Sequence, residues 1–304
     1  MSAQGPGRYE EVPCNLCFGR EATTVFAEGR AQKHRIVRCK HCGLLYASPR
    51  EIEHEYSISY DADIDFSVDE VAAKRLEKEE LQVADYRQTQ GLLRALHPER
   101  GRLLEIGSSF GFLLASFAQD EWKTVGVDPY SGACRYARKR FGLDIREGIL
   151  EEAGIDDGSC DVVIMNHVIE HLPDPLGTLR LIRRVLKPGG HLVIETPRYD
   201  TLTFKLLGRR ERSIRCDGHV YFFTAETLTR MCEAAGFRLT KRWTTGRRLT
   251  LERLAWNLGV VCREEWLRKG LERFSRACRL DRFWVYLNLG DIQRVCVEKT
   301  GDPA

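Results

Sequence analysis

No stretch of this chain approaches the roughly 20 consecutive apolar residues that a membrane-spanning helix requires. The N-terminus, Met-Ser-Ala-Gln-Gly-Pro-Gly-Arg, has no apolar run of the kind that marks a secretory leader, so a cytoplasmic location is expected. Excess charge of one sign is also missing. Lys and Arg total 47 against 44 Asp and Glu, and a net charge of +3 does not by itself point to nucleic acid or a membrane surface. Internal repeats and low-complexity segments are absent, and no glycine-rich turn is followed by the Gly-Lys-Ser/Thr of a P-loop. Cysteine, by contrast, is plentiful. Eleven cysteines without export point to reduced thiols and metal ligation rather than a disulfide framework. At 304 residues there is room for one full α/β domain and a smaller module.

The most informative stretch is Leu104-Glu105-Ile106-Gly107-Ser108-Ser109-Phe110-Gly111-Phe112, which reads as a short buried strand, a glycine-bearing turn and the start of a helix. Val125-Gly126-Val127-Asp128-Pro129 reads as a second buried strand, with Asp128 lying 21 residues after Gly107. A glycine turn lets a ligand lie against bare backbone, and an acidic side chain at the next strand's tip can accept ribose hydroxyls. The pattern differs from the G-x-G-x-x-G of dinucleotide folds. Glu105 stands at the end of the strand itself, where a carboxylate would repel a diphosphate but pair with a cationic amino group.

Residues from about 98 to 199 resemble a class I S-adenosylmethionine-dependent methyltransferase, within it the group of ubiquinone-biosynthesis O-methyltransferases. Further matches are Asp161 through Leu172 (strand four and its loop), Leu186-Lys187-Pro188-Gly189-Gly190 leading into strand five, Gly218 through Thr224, and Ala235-Gly236-Phe237. The resemblance implies a Rossmann-like α/β fold with a seven-stranded, mostly parallel sheet. It also implies an S-adenosylmethionine site built from Glu105, Gly107, Ser109, Gly111, Asp128, Pro129, Ile149, Leu150, Asn166 and His167. Ser109 stands where the family usually has glycine, so a slightly displaced methionine tail is expected. No acidic residue follows strand three, which leaves the adenine to backbone and apolar contacts near Ile149 and Leu150.

Cys14-Asn15-Leu16-Cys17 and Cys39-Lys40-His41-Cys42 form two C-x2-C pairs separated by 21 residues. Two such knuckles supply the four thiolates of a closed, structural zinc site, and the strand-like 23–26 and 35–38 between them complete a zinc ribbon over residues 1–50. Four cysteines leave no open position for catalysis by that metal. A piece of this size has little core, so the metal would supply much of its stability. The ribbon with Leu44 through Arg50 resembles the start of sugar C-methyltransferases.

Residues 51–97 are expected to form a connector and a capping helix, opened by a Ser67/Glu70 capping box and running to about Leu96. Residues 98–304 would hold the methyltransferase domain. Strands are expected near 102–106, 123–127, 143–147, 161–165, 191–196, 237–244 and 292–297, with helices between successive early strands. Asp174 and Pro175 signal a helix start, as does Thr224, whose helix Gly236 closes. An amphipathic helical insertion is expected at about 246–290, packed on the core or on a second subunit, which makes a homodimer one candidate assembly and a membrane surface another.

The resemblance places the loop after strand four at the transferred methyl. His171 is then the first choice for general base, with bracing of the loop as the competing role, and His219 is the second choice. Glu170 would orient a histidine or share a divalent ion with it. Arg209 through Arg215 reads as a solvated basic loop or as a grip on an anionic acceptor. The favoured function is methyl transfer to oxygen of a small-molecule or glycan acceptor. An RNA methyltransferase with the ribbon as docking module is the alternative, and a cofactor-sensing binding protein the third.

Overall fold

The computed structural model describes residues 9–28, 34–51, 76, 79–211, 214, 216, 218–252, 254, 269–270, 273–274 and 278–301. The expected Ser67/Glu70 capping box, residues 255–268 of the expected insertion, and Arg212, Ser213, Arg215 and Asp217 lie outside them.

The N-terminal region carries β1 (Tyr9–Glu10), β2 (Ala22–Phe26), β3 (Ile36–Cys39), β4 (Leu45–Ala47) and β5 (Arg50–Glu51). The larger part carries β6 (Arg102–Ile106), β7 (Lys123–Asp128), β8 (Ile145–Glu147), β9 (Cys160–Asn166), β10 (Leu186–Pro197), β11 (Tyr221–Phe222), β12 (Phe237–Thr250) and β13 (Trp284–Lys299). Seven strands form one sheet in the order β12-β13-β10-β9-β6-β7-β8. The five from β10 to β8 are parallel, and β13 runs antiparallel to both β10 and β12. This is the expected Rossmann-like, mostly parallel α/β sheet. Its strand order reverses between β6 and β9, and ligands of open α/β sheets bind beyond the carboxyl ends of the strands at such a switch point.

Local chemistry explains the helices on its faces. Asp174 accepts a hydrogen bond from Gly177 N at 2.9 Å and opens the helix Pro175–Val185, whose Leu176, Leu179, Ile182 and Val185 are buried. Thr224 and Thr227 form a reciprocal capping box for Ala225–Ala234. The helix before the sheet ends at Leu96 as expected, but a single 3-10 turn at Ala84–Tyr86 breaks its course and accompanies the burial of Tyr86. Lys187-Pro188-Gly189-Gly190 is a register shift inside β10, not a gap before it.

The two expected ribbon strands, β2 and β3, pair antiparallel, and β4 adds antiparallel to β3. The fourth strand of that sheet is β11, contributed from 175 residues further along the chain: Tyr221 pairs with Tyr46 and Phe222 with Leu45. Cys14, Leu16, Val37 and Leu44 share one buried cluster with Leu176, Tyr221 and Phe223. The ribbon therefore draws its core partly from the larger domain, which makes up for the small core a fifty-residue piece could build alone.

The helical expectation for 246–290 fails at both ends, while Leu251, Glu252, Leu254, Lys269, Gly270, Arg273 and Phe274 between them are helical. Residues up to Thr250 and from Trp284 onward are strand, paired from Arg247↔Leu287 to Thr250↔Trp284 as a two-stranded arm beyond the edge of β10. The reason is visible in alternation: Trp284 and Tyr286 face outward while Val285 and Leu287 are half-buried, a period of two that favours strand over helix. Gly246 sits at a bulge in the arm. A Cβ there would lie 2.2 Å from the Leu287 carbonyl oxygen, a backbone atom that cannot swing aside. Among the described residues, no helix is long and apolar enough to cross a membrane.

Gly246→Ala should accordingly destabilise the arm by about 1–3 kcal/mol through backbone displacement. The loss should appear as faster amide exchange at 247–250 and 284–287, with β6 and β9 unaffected. Equal exchange in the two proteins would refute the close approach.

Candidate functional site

Two loops meet at the switch point. The first is the glycine turn after β6, where Gly107 and Ser108 both donate to Val127 O, at 2.8 and 3.2 Å, and Gly111 donates to Ser108 O at 2.9 Å. Gly107 and Gly111 have φ of +73° and +77°, and a Cβ on Gly107 would stand 2.4 Å from Val168 Cγ2. Only glycine satisfies both the conformation and the contact with the strand-four loop. Ser109, also at positive φ (+46°), donates its N–H to Asp128 Oδ2 at 2.7 Å and its hydroxyl to Glu79 Oε1 at 3.0 Å. Asp128 Oδ1 accepts from Tyr130 N at 2.8 Å, so the carboxylate is held at the tip of β7 by backbone amides. Of the other positions expected at the cofactor, Pro129 is exposed, Ile149 half-buried and Leu150 buried in the core.

Glu105 is the telling residue. It is 3% exposed, and its Oε2 has no hydrogen-bond partner among the described residues. Burial, with Glu79 and Asp128 nearby, pushes its carboxyl well above the ordinary glutamate value. Three acidic side chains thus converge on the glycine turn, one of them buried with an unsatisfied oxygen. That donor set suits a ligand bringing an ammonium and vicinal hydroxyls, and it rejects a diphosphate. The residues fit S-adenosylmethionine on this ground. Glu79 was not among the expected site residues, since only the tertiary course of the preceding helix brings it to the turn.

The second loop follows β9. Its first residue, His167, has φ of +51° and places Nδ1 3.2 Å from Glu170 Oε1 and Nε2 3.0 Å from Glu195 Oε1. Burial disfavours the charged ring, but the two carboxylates outweigh it and raise the pKa to about 10. Burial likewise works against ionisation of Glu170 and Glu195, yet their cationic partners hold both at about 2. His167 is consequently an imidazolium at neutral pH, with both nitrogens donating. Glu170 also accepts from Thr196 Oγ1 at 2.9 Å. Glu195 is bonded by Arg294 Nε, and Arg294, 1% exposed, donates to Asp85 O at 2.8 Å and stacks 3.7 Å from the Tyr86 ring centroid. Tyr86 in turn donates its hydroxyl to Asn166 Oδ1. Glu195, Arg294 and Tyr86 were missed from the sequence, although an arginine amid Ile292, Val295 and Val297 was a readable signal.

His171 and His219, the two candidate bases, come together from separate segments. Their ring centroids are 4.6 Å apart at 79°, and both are half-buried. His171 Nδ1 lies 3.0 Å from Gly218 O. A carbonyl only accepts, so Nδ1 carries a proton, and in the neutral ring the lone pair is on Nε2. His219 Nδ1 lies 3.5 Å from the Tyr199 hydroxyl. One ligand atom each from Glu170, His171 and His219 lies within 4.8 Å of the others, a carboxylate–imidazole set of the type that holds divalent ions. In the basic loop, Arg209 lies over the Phe26 ring at 5.7 Å.

The four ribbon cysteines also converge. Cys14 and Cys42 Sγ are 3.3 Å apart, Cys17 and Cys39 Sγ 3.4 Å, and all four lie within 4.8 Å of one another. Burial pushes the Cys14 and Cys42 thiols up. Four cysteine sulfurs gathered this closely fit tetrahedral zinc, which thiolates bind at about 2.3 Å.

The chain matches the methyltransferase-domain family over residues 78–242. It is 33% identical over 148 residues to a probable S-adenosylmethionine-dependent methyltransferase of Mycolicibacterium smegmatis, covering 48% of this chain and 56% of that protein. It is 30% identical over 104 residues to the ubiquinone biosynthesis O-methyltransferase of Alkalilimnicola ehrlichii, covering 32% of this chain and 42% of that one. The chain thus spans about half the length of the curated relatives it matches. A SAM-dependent methyltransferase structure from Archaeoglobus fulgidus, 21% identical, matches with a TM-score of 0.52 over 76% of this chain and 100% of that one, a likeness of fold. The family match runs from just before Glu79 to within β12, across every loop of the switch-point site, and on it the chain belongs to the methyltransferase-domain family.

Proposed function

We propose that this protein transfers the methyl group of S-adenosylmethionine to a hydroxyl of a small-molecule acceptor. The observation that carries the reading is Glu105, a buried carboxyl group whose Oε2 has no hydrogen-bond partner among the described residues, with Asp128 and Glu79 nearby at the glycine turn. The cofactor, when bound, supplies an electrophilic methyl on a positively charged sulfur. Glu105 would take the ammonium of its methionine tail. Asp128 would accept from the ribose hydroxyls, and Leu150 with Ile149 would pack the base.

At the acceptor side, His167 is already charged and tied at both nitrogens, so it cannot take a proton. Its role is to fix the strand-four loop. His171 has the opposite character. Its Nδ1 proton is committed to Gly218 O, which orients the ring and leaves Nε2 free to accept the hydroxyl proton as the new carbon–oxygen bond forms. His219, packed on it edge to face, limits the ring's rotation and is the alternative proton acceptor. The four cysteines Cys14, Cys17, Cys39 and Cys42 would hold a structural zinc away from this chemistry.

Three outcomes test the reading. Asp128→Ala should weaken cofactor binding in calorimetry by at least about tenfold, since charge-assisted hydrogen bonds contribute about 1.5–3 kcal/mol each. The cationic ligand favours ionised Glu105, whose carboxyl is raised well above the ordinary glutamate value in the free protein, so binding expels a proton and affinity should climb with pH until that raised carboxyl ionises unaided. Glu105→Gln should bind more weakly and flatten that climb, whereas a flat profile in the parent protein would exclude the ammonium pairing. With methyl-labelled cofactor and a panel of phenols, catechols and sugars, His171→Ala should lose about 10²–10⁴-fold in transfer with cofactor affinity kept. Undiminished transfer by both His171→Ala and His219→Ala would remove general-base catalysis from the account.

A further inference from the structure

The ribbon touches the larger domain at a telling place. Asn15, inside the first cysteine knuckle, reaches the start of the helix Pro175–Val185: its Nδ2 donates to Asp174 Oδ1 at 2.8 Å, and its Oδ1 accepts from Leu176 N at 2.9 Å. One amide thereby satisfies a first-turn N–H and steadies the capping carboxylate three residues after His171. Asn15 is itself fixed by the knuckle, where Cys14 N donates to Gly19 O at 3.0 Å and Phe18 N to Cys14 O at 2.7 Å. Arg50, just past β4, donates from Nη1 to Pro173 O at 2.8 Å and lies 3.2 Å from the Tyr221 hydroxyl, which donates to Pro173 O at 3.3 Å.

A second route is backbone only. Ala47 N donates to Val220 O at 2.8 Å, and Val220 N donates to Glu170 O at 2.9 Å. Two consecutive hydrogen bonds therefore run from the ribbon strand, through the residue after His219, to the residue before His171. The glycine turn is held differently, by Val127, Asp128 and Glu79, none of them in the ribbon.

We propose that the four-cysteine ribbon is the positioning device of the acceptor site, with Asn15 and Arg50 as its positioning residues, so that loss of its metal disables methyl transfer while cofactor binding persists. The inference rests on the reading of His171 and His219 as acceptor-facing groups. A metal bound by thiolates is released when those thiolates are oxidised or chelated, so the same geometry makes acceptor turnover, and not cofactor occupancy, the quantity that responds to thiol oxidants.

The experiment uses the full zinc-loaded chain and Asn15→Ala, which keeps all four cysteines, with Arg50→Ala as a second variant. Metal content is measured first. Amide exchange is then followed at 168–176 and 218–222 against 103–111, alongside cofactor calorimetry and labelled transfer to the best catechol or sugar of the panel. Expected are unchanged zinc content, exchange at least about tenfold faster in the first two segments only, cofactor affinity within about twofold, and a fall in kcat of about tenfold or more at unchanged cofactor KM. Zinc removal with a chelator should reproduce this pattern. Unchanged exchange in both variants, or cofactor affinity falling in step with turnover, would overturn the positioning role. Faster exchange combined with an active His171→Ala would instead retire the assigned base and leave the coupling standing.

Discussion

Four charges in a row, Arg294, Glu195, His167 and Glu170, close the carboxyl edge of the sheet, and the geometry of the acceptor loop depends on them. Each lies on a different element or turn: β13, β10, the exit from β9 and the short helical turn that follows. Arg294, Glu195 and Glu170 are buried, while the His167 side chain is 39% exposed. A carboxylate at the end of a dry strand pays a desolvation penalty unless a cation meets it, and breaking such a buried pair typically costs about 3–5 kcal/mol. Alternating signs along the row let every member stay ionised. The antiparallel strand β13, inserted between β10 and β12, is what delivers Arg294 to the row, so sheet topology and site electrostatics are one constraint.

The same edge contains a charge imbalance that the row does not relieve. Glu105, Asp128 and Glu79 gather around the glycine turn, and Glu105 is buried with an unsatisfied oxygen. One half of the site is electrostatically complete and rigid; the other half is short of positive charge. A ligand carrying an ammonium and a sulfonium removes that shortfall, while its transferable methyl would lie towards the completed half, where His171 and His219 stand.

The ribbon adds a mechanical constraint. Its sheet is completed by β11, and its knuckle caps the helix that follows the strand-four loop, so the two histidine-bearing segments are tied to the four-cysteine ribbon. A module read from spacing alone as a self-contained zinc ribbon is here one wall of the larger domain, sharing Cys14, Leu16 and Val37 with the core around Leu176 and Tyr221.

Much of this was legible along the chain because it is local. Gly107, Gly111 and Asp128 announce a turn whose backbone conformation only glycine accepts, the two C-x2-C pairs announce a ligand set, and Asp174-Pro175 and Thr224 announce helix starts by side chains that bond three residues onward. Apolar runs marked four of the five parallel strands for the same reason, burial on both faces, while the edge strand β8 (Ile-Arg-Glu) has no such run. The long arm from β12 to β13 was misread as helix because its apolar residues fit both periods, and cross-strand pairing of Thr250 with Trp284 decided between them. Partnership between distant residues was decided by tertiary structure alone. Glu79 beside Glu105, Arg294 against Glu195, Asn15 on the helix after His171 and the meeting of His171 with His219 are separated by 26 to 161 residues of chain. Sequence determines what each residue can donate, accept or bury. Which donor meets which acceptor is set by how the sheet orders its strands, and no spacing along the chain encodes that distance.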